Sequence, residues 1–575
     1  MQIESLDPEF LRSQIIGVDT PLRTPFGERR MLYADYTASG RSLHFIEDYL
    51  KELQRCYANS HTEDDTSGRV TTGLLHQAEE TIKQAVNAGP DGRIISCGYG
   101  ATAAIDRMQQ LIGVKAPAAT RQLLDQLLEG FVGGRASGFD GYCREHQPVV
   151  FVGPYEHHSN EISWRESLAT VVEVRLASDG GIDLDHLALL LAEPAYTGRL
   201  RIGSFSAASN VTGMRTPVYE IARLLHRHDA LAFFDFAASA PYVTIDMNPD
   251  PEGDPAAGLD AVFISPHKFL GGPGSSGVLI FNRRCYHSEL APSIAGGGTV
   301  DYVGPRDHEF VSDIEVRESA GTPGILQTIK AALAFEIKGA VGIDAIEARE
   351  LEMTREAFAR WDRLPRFELL GNPDPERRIG IVSFNIRGDS GRYLHPRFVT
   401  TLLNDLFGIQ TRAGCSCACP YGHQLLGIDD EKAHEFRSVI AQGHCGIKPG
   451  WCRIGFHYTF DRIEFEYLLD AVEFVVEYGC LFLHLYSFEH DSGAWWRKGW
   501  KEEMPRLSLG AAMRARPSQP EVLSVDRRLA HYRENLAEAE RIAQTLHHDS
   551  RVDSQRLAGD EGDVQFFQLP RISML

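Results

Sequence analysis

Four short apolar runs occupy the middle of the chain, and helical patterns separate them. They are PVVFVG (Pro148–Gly153), RIGSFSAAS (Arg201–Ser209), ALAFFDFA (Ala230–Ala237) and DAVFISP (Asp260–Pro266). Short β-branched or aromatic runs bounded by turn residues predict strands. Their near-continuous apolarity predicts strands covered on both faces. The segments LDHLALLLAE (Leu184–Glu193) and VYEIARLLHRHD (Val218–Asp229) carry helical spacing. This alternation predicts an α/β fold with a large mixed, mostly parallel sheet. In open sheets of this kind the chemistry collects beyond the carboxyl ends of the strands. The polar residues that directly follow the runs are therefore the first candidates for a site.

The texture changes near Ala320. The turn AGTPG precedes a helical pattern, TIKAALAFEIKGAVG (Thr328–Gly342), and IGIVSFNI (Ile379–Ile386) predicts a strand of a second, smaller α/β unit. Past Phe488 the chain turns polar with clustered Trp. RPSQPEV (Arg516–Val522) reads as a linker, and VDRRLAHYRENLAEAERIAQTLHH (Val525–His548) predicts a charged, exposed or interface helix. The expected organisation is an N-terminal arm (1–30), a large domain (31–325), a smaller α/β C-terminal domain (326–487) and a polar helical extension (488–575).

A net charge of −21 argues against binding nucleic acid through phosphates and against an anionic membrane surface. Ten cysteines in 575 residues are too few for a disulfide scaffold. MQIESLDPEF is neither basic nor apolar, so no signal peptide is expected. Tyr467–Tyr486, the most apolar stretch, contains Asp470, Glu473, Glu477 and His484, and predicts a buried helix and no membrane span. A cytoplasmic protein with free thiols is the expectation.

Lys268 follows an apolar run and precedes GGPGSSG. A strand-end lysine in a largely apolar site can lose its proton and form a Schiff base; the plain alternative is a surface lysine on a loop. Ser265 and His267 beside it are donors suited to a phosphate. Asp235 ends its own run, as a helix cap or as the partner of a cation. In enzymes using pyridoxal 5'-phosphate (PLP) an Asp keeps the pyridine nitrogen protonated, and with a strand-end lysine following it that reading is preferred. GYGATAAID (Gly98–Asp106) places small residues at a helix start, where backbone N–H groups can hold a phosphate. GGPGSSG lacks the ending of a P-loop. His157 and His158 are adjacent and point opposite ways on extended backbone, which disfavours a shared metal; a single ring stacked on a flat cofactor fits better.

On these residues the chain resembles fold-type I, class V aminotransferase-like PLP enzymes, and within them group II cysteine desulfurases and selenocysteine lyases. The resemblance runs from about Tyr33 to Phe460. Its carriers are ADYTASG (Ala34–Gly40), GAT (Gly100–Thr102), EHHSN with Trp164, SAASNVTG (Ser206–Gly213), Asp235, S-x-H-K (Ser265–Lys268), GGG (Gly296–Gly298), AGTP (Ala320–Pro323), R-x-G-x-x-C-A-x-P (Arg412–Pro420) and WCRIGFHYT (Trp451–Thr459). The resemblance implies PLP on Lys268, with Asp235 at the ring nitrogen, His157 stacked on the ring and Asn210 near cofactor and substrate. It implies a phosphate held by Gly100, Ala101, Thr102, Ser265 and His267, and by Thr322 of a second subunit in a homodimer. It assigns the carboxylate of a small amino-acid substrate to Arg453, with Arg412 beside it. It aligns Cys417 with the nucleophile that takes sulfur from L-cysteine, leaving alanine and a persulfide for a sulfur-acceptor protein.

The chain departs from that pattern in three places. Ala238 stands where the family has a Gln that bonds the cofactor's phenolic oxygen. Cys415 and Cys419 flank Cys417. The stretch around Thr120–Asp140 and the C-terminal extension are additional to the desulfurase core. Three readings stay open for the cysteines. Cys417 is a nucleophilic thiolate; or all three are packing residues, and the site is that of an aminotransferase, epimerase or C–S/C–Se lyase; or the run binds Zn or an iron–sulfur cluster with Cys445 or His423. The spacing departs from C-x-x-C, and no metal is expected. A non-catalytic scaffold would have no need of Lys268, Asp235 and His157 together.

Overall fold

A computed structural model describes residues 6–60, 64–132, 139–501, 522–549, 555–557 and 559–569. The expected linker at Arg516–Val522 lies almost wholly outside them. The chain divides into two compact units. Thr37–Glu347 with Arg377–Ile379 make up most of the first; Asp7–Tyr36, Ala348–Glu376 and Gly380–Leu575 make up the second.

The first unit is built on a seven-stranded sheet. In spatial order its strands are Gly92–Cys97, Gly277–Asn282, Ala261–Ile264, Ala230–Asp235, Arg201–Ser206, Val149–Val152 and Thr170–Glu173. Gly277–Asn282 is antiparallel to both its neighbours, and the remaining pairs are parallel. The four predicted runs are the four central parallel strands. On one face Val150, Val152, Ile202, Phe233, Phe263 and Leu279 pack with Ala101, Ala104, Ile105 and Met108 of the helix Gly100–Leu111. The four central strands are buried along nearly their whole length, which explains why they read as continuous apolar runs.

The second unit holds a four-stranded sheet in the order Phe367–Leu369, Ile381–Ile386, Trp451–Gly455, Arg412–Gly414. The predicted buried helix is Arg462–Phe482, started by a capping box between Asp461 and Glu464. It stops short of Tyr486, which begins the strand Tyr486–Phe488. The charged helix Val525–Asp549 is less exposed than its composition suggests: Tyr532, Ala539, Ala543 and Leu546 are buried. Tyr532 stacks on Tyr467 at 3.9 Å, and Arg528 pairs with Asp461. Apolar residues at helical spacing supply the buried face, and the charges populate the other. Among the described residues no helix is long and apolar enough to cross a membrane.

Candidate active site

The carboxyl ends of adjacent parallel strands bring the predicted polar residues of the first unit together. Ala261–Ile264 runs into Ser265 and the short turn Pro266–Lys268, in which the Lys268 N–H donates to the Ser265 carbonyl at 3.0 Å. Two glycines fit closely against this turn. A Cβ on Gly40 would lie 1.9 Å from the Phe269 carbonyl oxygen, and one on Gly272 would lie 1.8 Å from that of Pro266. The Gly40 N–H donates to the His267 carbonyl at 2.9 Å. The end of ADYTASG is thus part of the scaffold that holds the lysine.

The helix Gly100–Leu111 begins beside that turn. Gly100 has φ +57°, and a Cβ there would meet Ser265 Oγ at 2.7 Å and His267 Cε1 at 2.8 Å. The Ala101 N–H donates to Ser265 Oγ at 2.8 Å, and the Thr102 and Ser159 hydroxyls bond at 2.7 Å. Backbone N–H groups, three hydroxyls and an imidazole converge on the positive end of a helix dipole. Burial, with the nearby charge of Lys268, pulls His267 down to about 4, so its ring is neutral at pH 7.

Asp235 closes the neighbouring strand and is buried. Its Oδ1 accepts from the Ala237 N–H at 2.8 Å. Burial pushes its carboxyl up, and the Ala237 hydrogen bond and the charge of Lys268 oppose that shift. A buried carboxylate of this kind is stabilised by a further cation beside it. A pyridinium N–H supplies one, and the Gly100 cradle suits a phosphate, so the residues present fit PLP.

His157 caps the turn His158–Asn160, with its Nδ1 accepting the Ser159 N–H at 3.1 Å. That bond makes Nδ1 an acceptor and leaves the ring hydrogen on Nε2 when the ring is neutral. Asn210 is buried in the turn following Arg201–Ser206, where Ser209 Oγ accepts from Val211 and Thr212 N–H groups. Thr322 is exposed and accepts from Asn59 Nδ2 at 3.0 Å.

Sequence reasoning gave Glu156 no role of its own. It is fully enclosed and accepts from the Ser206 N–H (2.9 Å), Ser206 Oγ (2.7 Å) and Asn160 Nδ2 (2.7 Å). Asn160 Oδ1 in turn accepts from Trp164 Nε1 at 3.1 Å and from Ser204 Oγ at 2.6 Å. The E-x-x-x-N-x-x-x-W spacing within Glu156–Trp164 is therefore one network that fixes the loop carrying His157. Burial, opposed by these bonds and reinforced by the charge of Asp235, pushes the Glu156 carboxyl up to about 7. An acid whose folded pKa is raised is most stabilising below its unfolded pKa and loses that contribution as pH rises through the folded value. Stability should therefore fall between about pH 4.5 and 7, by about 3 kcal/mol from this group. Glu156→Gln should flatten that part of the Tm–pH profile while lowering Tm at acid pH. An unchanged slope would show that Glu156 does not titrate there.

In the second unit Arg453 lies in the strand Trp451–Gly455, buried, with Arg412 directly opposite it across the sheet. Its Nη2 donates to Asp35 Oδ1 at 2.9 Å. Burial lowers the guanidinium and Asp35 opposes that shift. Asp35 is the second residue without a predicted role; its place in ADYTASG was the available signal. The strand Arg412–Gly414 leads into Cys415–Ala418, where Ser416 and Cys417 both have left-handed backbone, φ +50° and +58°. Non-glycine residues in that region cost about 1–3 kcal/mol each and cluster at functional sites. Cys417 is half-buried. Among the described residues no group of three or more His, Cys, Asp or Glu is arranged to hold a metal ion.

The family model for class-V aminotransferases matches residues 142–468. The chain belongs to the class-V aminotransferase family. The family is PLP-dependent, as the sequence motifs imply. A probable cysteine desulfurase of Halalkalibacterium halodurans is 30% identical over 395 residues, covering 68% of this chain and 84% of that protein. One from Staphylococcus epidermidis is 29% identical over 425 residues, covering 72% and 89%. Among solved structures, the apo cysteine desulfurase of Thermococcus onnurineus is similar with a TM-score of 0.63 at 20% identity, over 83% of this chain and all of that one. CsdA of Escherichia coli, a cysteine desulfurase, gives 0.59 at 20% identity over 82% and 99%. At that identity these two establish the shared fold, the fold-type I architecture expected from the motifs.

Proposed function

We propose that this class-V family member is a PLP-dependent cysteine desulfurase that converts L-cysteine to alanine and carries the sulfur as a persulfide on Cys417. The observation that carries this reading is the backbone at Ser416–Cys417, two consecutive left-handed non-glycine residues presenting a half-buried thiol. Packing alone would not require that strain. The family relatives named as probable cysteine desulfurases support the same reaction.

Bound PLP would supply an electron sink for the Cα of the amino acid. Lys268 anchors it and then moves protons with Nζ as general acid and base. Asp235 keeps the pyridine nitrogen protonated. Gly100, Ala101, Thr102, Ser265 and His267 hold the phosphate, with Thr322 serving a second copy in a homodimer. The His157 ring covers the cofactor, held in orientation through its Ser159 bond. Asn210 and Arg453 bind the amino acid, the planar guanidinium gripping its carboxylate, with Arg412 adding positive charge. The Cys417 thiolate attacks the substrate sulfur, the C–S bond breaks, and the persulfide passes to an acceptor protein. The protein would work in the cytoplasm. Ala238 is buried and apolar, so the bond that the family's Gln makes to the phenolic oxygen is absent here or made by another group.

The test is to load the protein with PLP and add L-cysteine in a single turnover. One alanine per subunit is expected, with its sulfur recovered as protein-bound persulfide or as the sulfide discharged from it; a spectral change without alanine would move the reading to an aminotransferase, epimerase or lyase. Gly100→Ala should weaken PLP binding. A side chain in the left-handed region costs about 1–2 kcal/mol, and displacing Ser265 or His267 forfeits a charge-assisted bond of about 1.5–3 kcal/mol. The expected loss of affinity is tenfold or more, read by titrating the apoprotein with PLP. An unchanged Kd would take Ser265 and His267 out of the cradle.

A further inference from the structure

Cys417 does not stand alone. Cys419 Sγ donates to Cys415 Sγ at 3.1 Å, and both thiols are half-buried. The Ala418 N–H donates to the Cys415 carbonyl at 3.0 Å and Ala418 is fully buried, so one closed turn carries all three sulfurs. Both ends of the turn are pinned. A Cβ on Gly450 would lie 2.7 Å from the Gly414 carbonyl carbon, and one on Gly422, in the helix Cys419–Leu425, would lie 2.7 Å from the Trp451 ring. Sharing its proton with Cys415, and burial, push the Cys419 thiol up, while the charge of Lys448 opposes this. A disulfide requires an S–S distance of about 2.05 Å, so bonding Cys415 to Cys419 needs the sulfurs to approach by only about 1 Å.

We propose that Cys415 and Cys419 are a dithiol that receives the sulfur carried by Cys417 and discharges it as sulfide, closing a disulfide between themselves. This rests on the desulfurase reading, which supplies the persulfide. The Cys415 thiolate attacks the outer sulfur of the Cys417 persulfide; the S–S bond breaks, Cys417 leaves as thiolate and Cys415 becomes the persulfide. The Cys419 thiol then attacks Cys415 Sγ and gives its proton to the departing outer sulfur, which leaves as hydrogen sulfide as the Cys415–Cys419 disulfide forms. The transferred sulfur gains two electrons and the two thiols lose them, so no other oxidant is involved. A thiol or dithiol reductant must reopen the disulfide before the next turnover. The pair thereby gives the enzyme a sulfide outlet that needs no sulfur-acceptor protein.

The experiment uses the full PLP-loaded chain without air or added reductant, given one equivalent of L-cysteine. Alanine, free sulfide and cyanide-labile protein sulfur are measured, together with the mass of the tryptic peptide 413–432, which holds all three cysteines. The parent should release alanine and sulfide in equal amounts, with that peptide two hydrogens lighter. Cys419→Ser and Cys415→Ser should still form alanine in the first turnover but retain the sulfur on protein, with sulfide release lowered about tenfold or more. Alanine formation with the persulfide retained by the parent, or variants that release sulfide as fast as the parent, would overturn the relay and leave the desulfurase reading standing. No alanine from the parent would overturn both.

Discussion

Replacing Lys268 with Ala is expected to end alanine formation from L-cysteine. A positioned acid–base group contributes about 10²–10⁴-fold, and the variant also loses the covalent anchor, so the loss should reach at least that range. The phosphate cradle is independent of the Lys268 side chain. Its Gly100, Ser265 and His267 contacts run through backbone, a hydroxyl and a ring. PLP should therefore still bind, in a form that exchanges freely and is not retained on the peptide after borohydride reduction. Removing the lysine charge also withdraws one of the two influences that oppose the upward shift of Asp235. The variant should hold PLP less tightly than the parent, and Lys268→Arg should not restore turnover, because an always-charged guanidinium cannot act as the base. Alanine formation by Lys268→Ala at the parental rate would remove Lys268 from the reaction.

Replacing Cys417 is expected to separate cofactor chemistry from sulfur transfer. Cys417→Ala should bind PLP with parental affinity and show the spectral response to L-cysteine, yet form no persulfide. Alanine release should fall by on the order of 10²-fold or more; loss of a nucleophile in a hydrolase costs up to about 10⁶. Cys417→Gly adds a stability readout. Glycine adopts φ near +58° without the roughly 1–2 kcal/mol that a side chain costs there. The Gly variant should therefore be inactive in sulfur transfer and have a Tm at or above that of Cys417→Ala. Strain kept at a position where its relief stabilises the chain points to function. If Cys417→Ala forms alanine as fast as the parent in a single turnover, the nucleophile assignment fails, and a lyase, epimerase or aminotransferase that does not use Cys417 takes its place.

Central parallel strands were legible because burial on both faces writes itself into the residues: VVFV, SFS, AFFD and AVFI are hard to read as anything else. The flanking strands were harder. Gly92–Cys97 and Thr170–Glu173 form the two sheet edges, the first interrupted by Arg93 and Ser96 and the second without a buried residue, whereas the internal antiparallel strand Gly277–Asn282 is as buried as the central runs. An edge strand has a neighbour on one side only, so polar residues can break into its apolar pattern. The helix Val525–Asp549 presents the reverse case. Its charge suggested an exposed or interface element, and Tyr532, Ala539 and Ala543 at helical spacing describe the stripe that is buried.

The sequence by itself determined the strand-end chemistry: a lysine, an aspartate, a histidine and a glycine-started helix, each following an apolar run, in the order of one enzyme family. Those features are local, since each needs only its own strand or turn to be formed. Tertiary structure alone decided the pairings. Asp35 meets Arg453 across most of the chain, Glu156 is enclosed by Ser206 and Asn160, and Gly40 packs against the lysine turn. Cys415 and Cys419 are near in sequence, but their contact depends on two residues adopting left-handed backbone. The physical reason is common to all of them. Burial, register and unusual dihedrals follow from how distant segments close over one another, and no local pattern of apolar and polar residues encodes that closure.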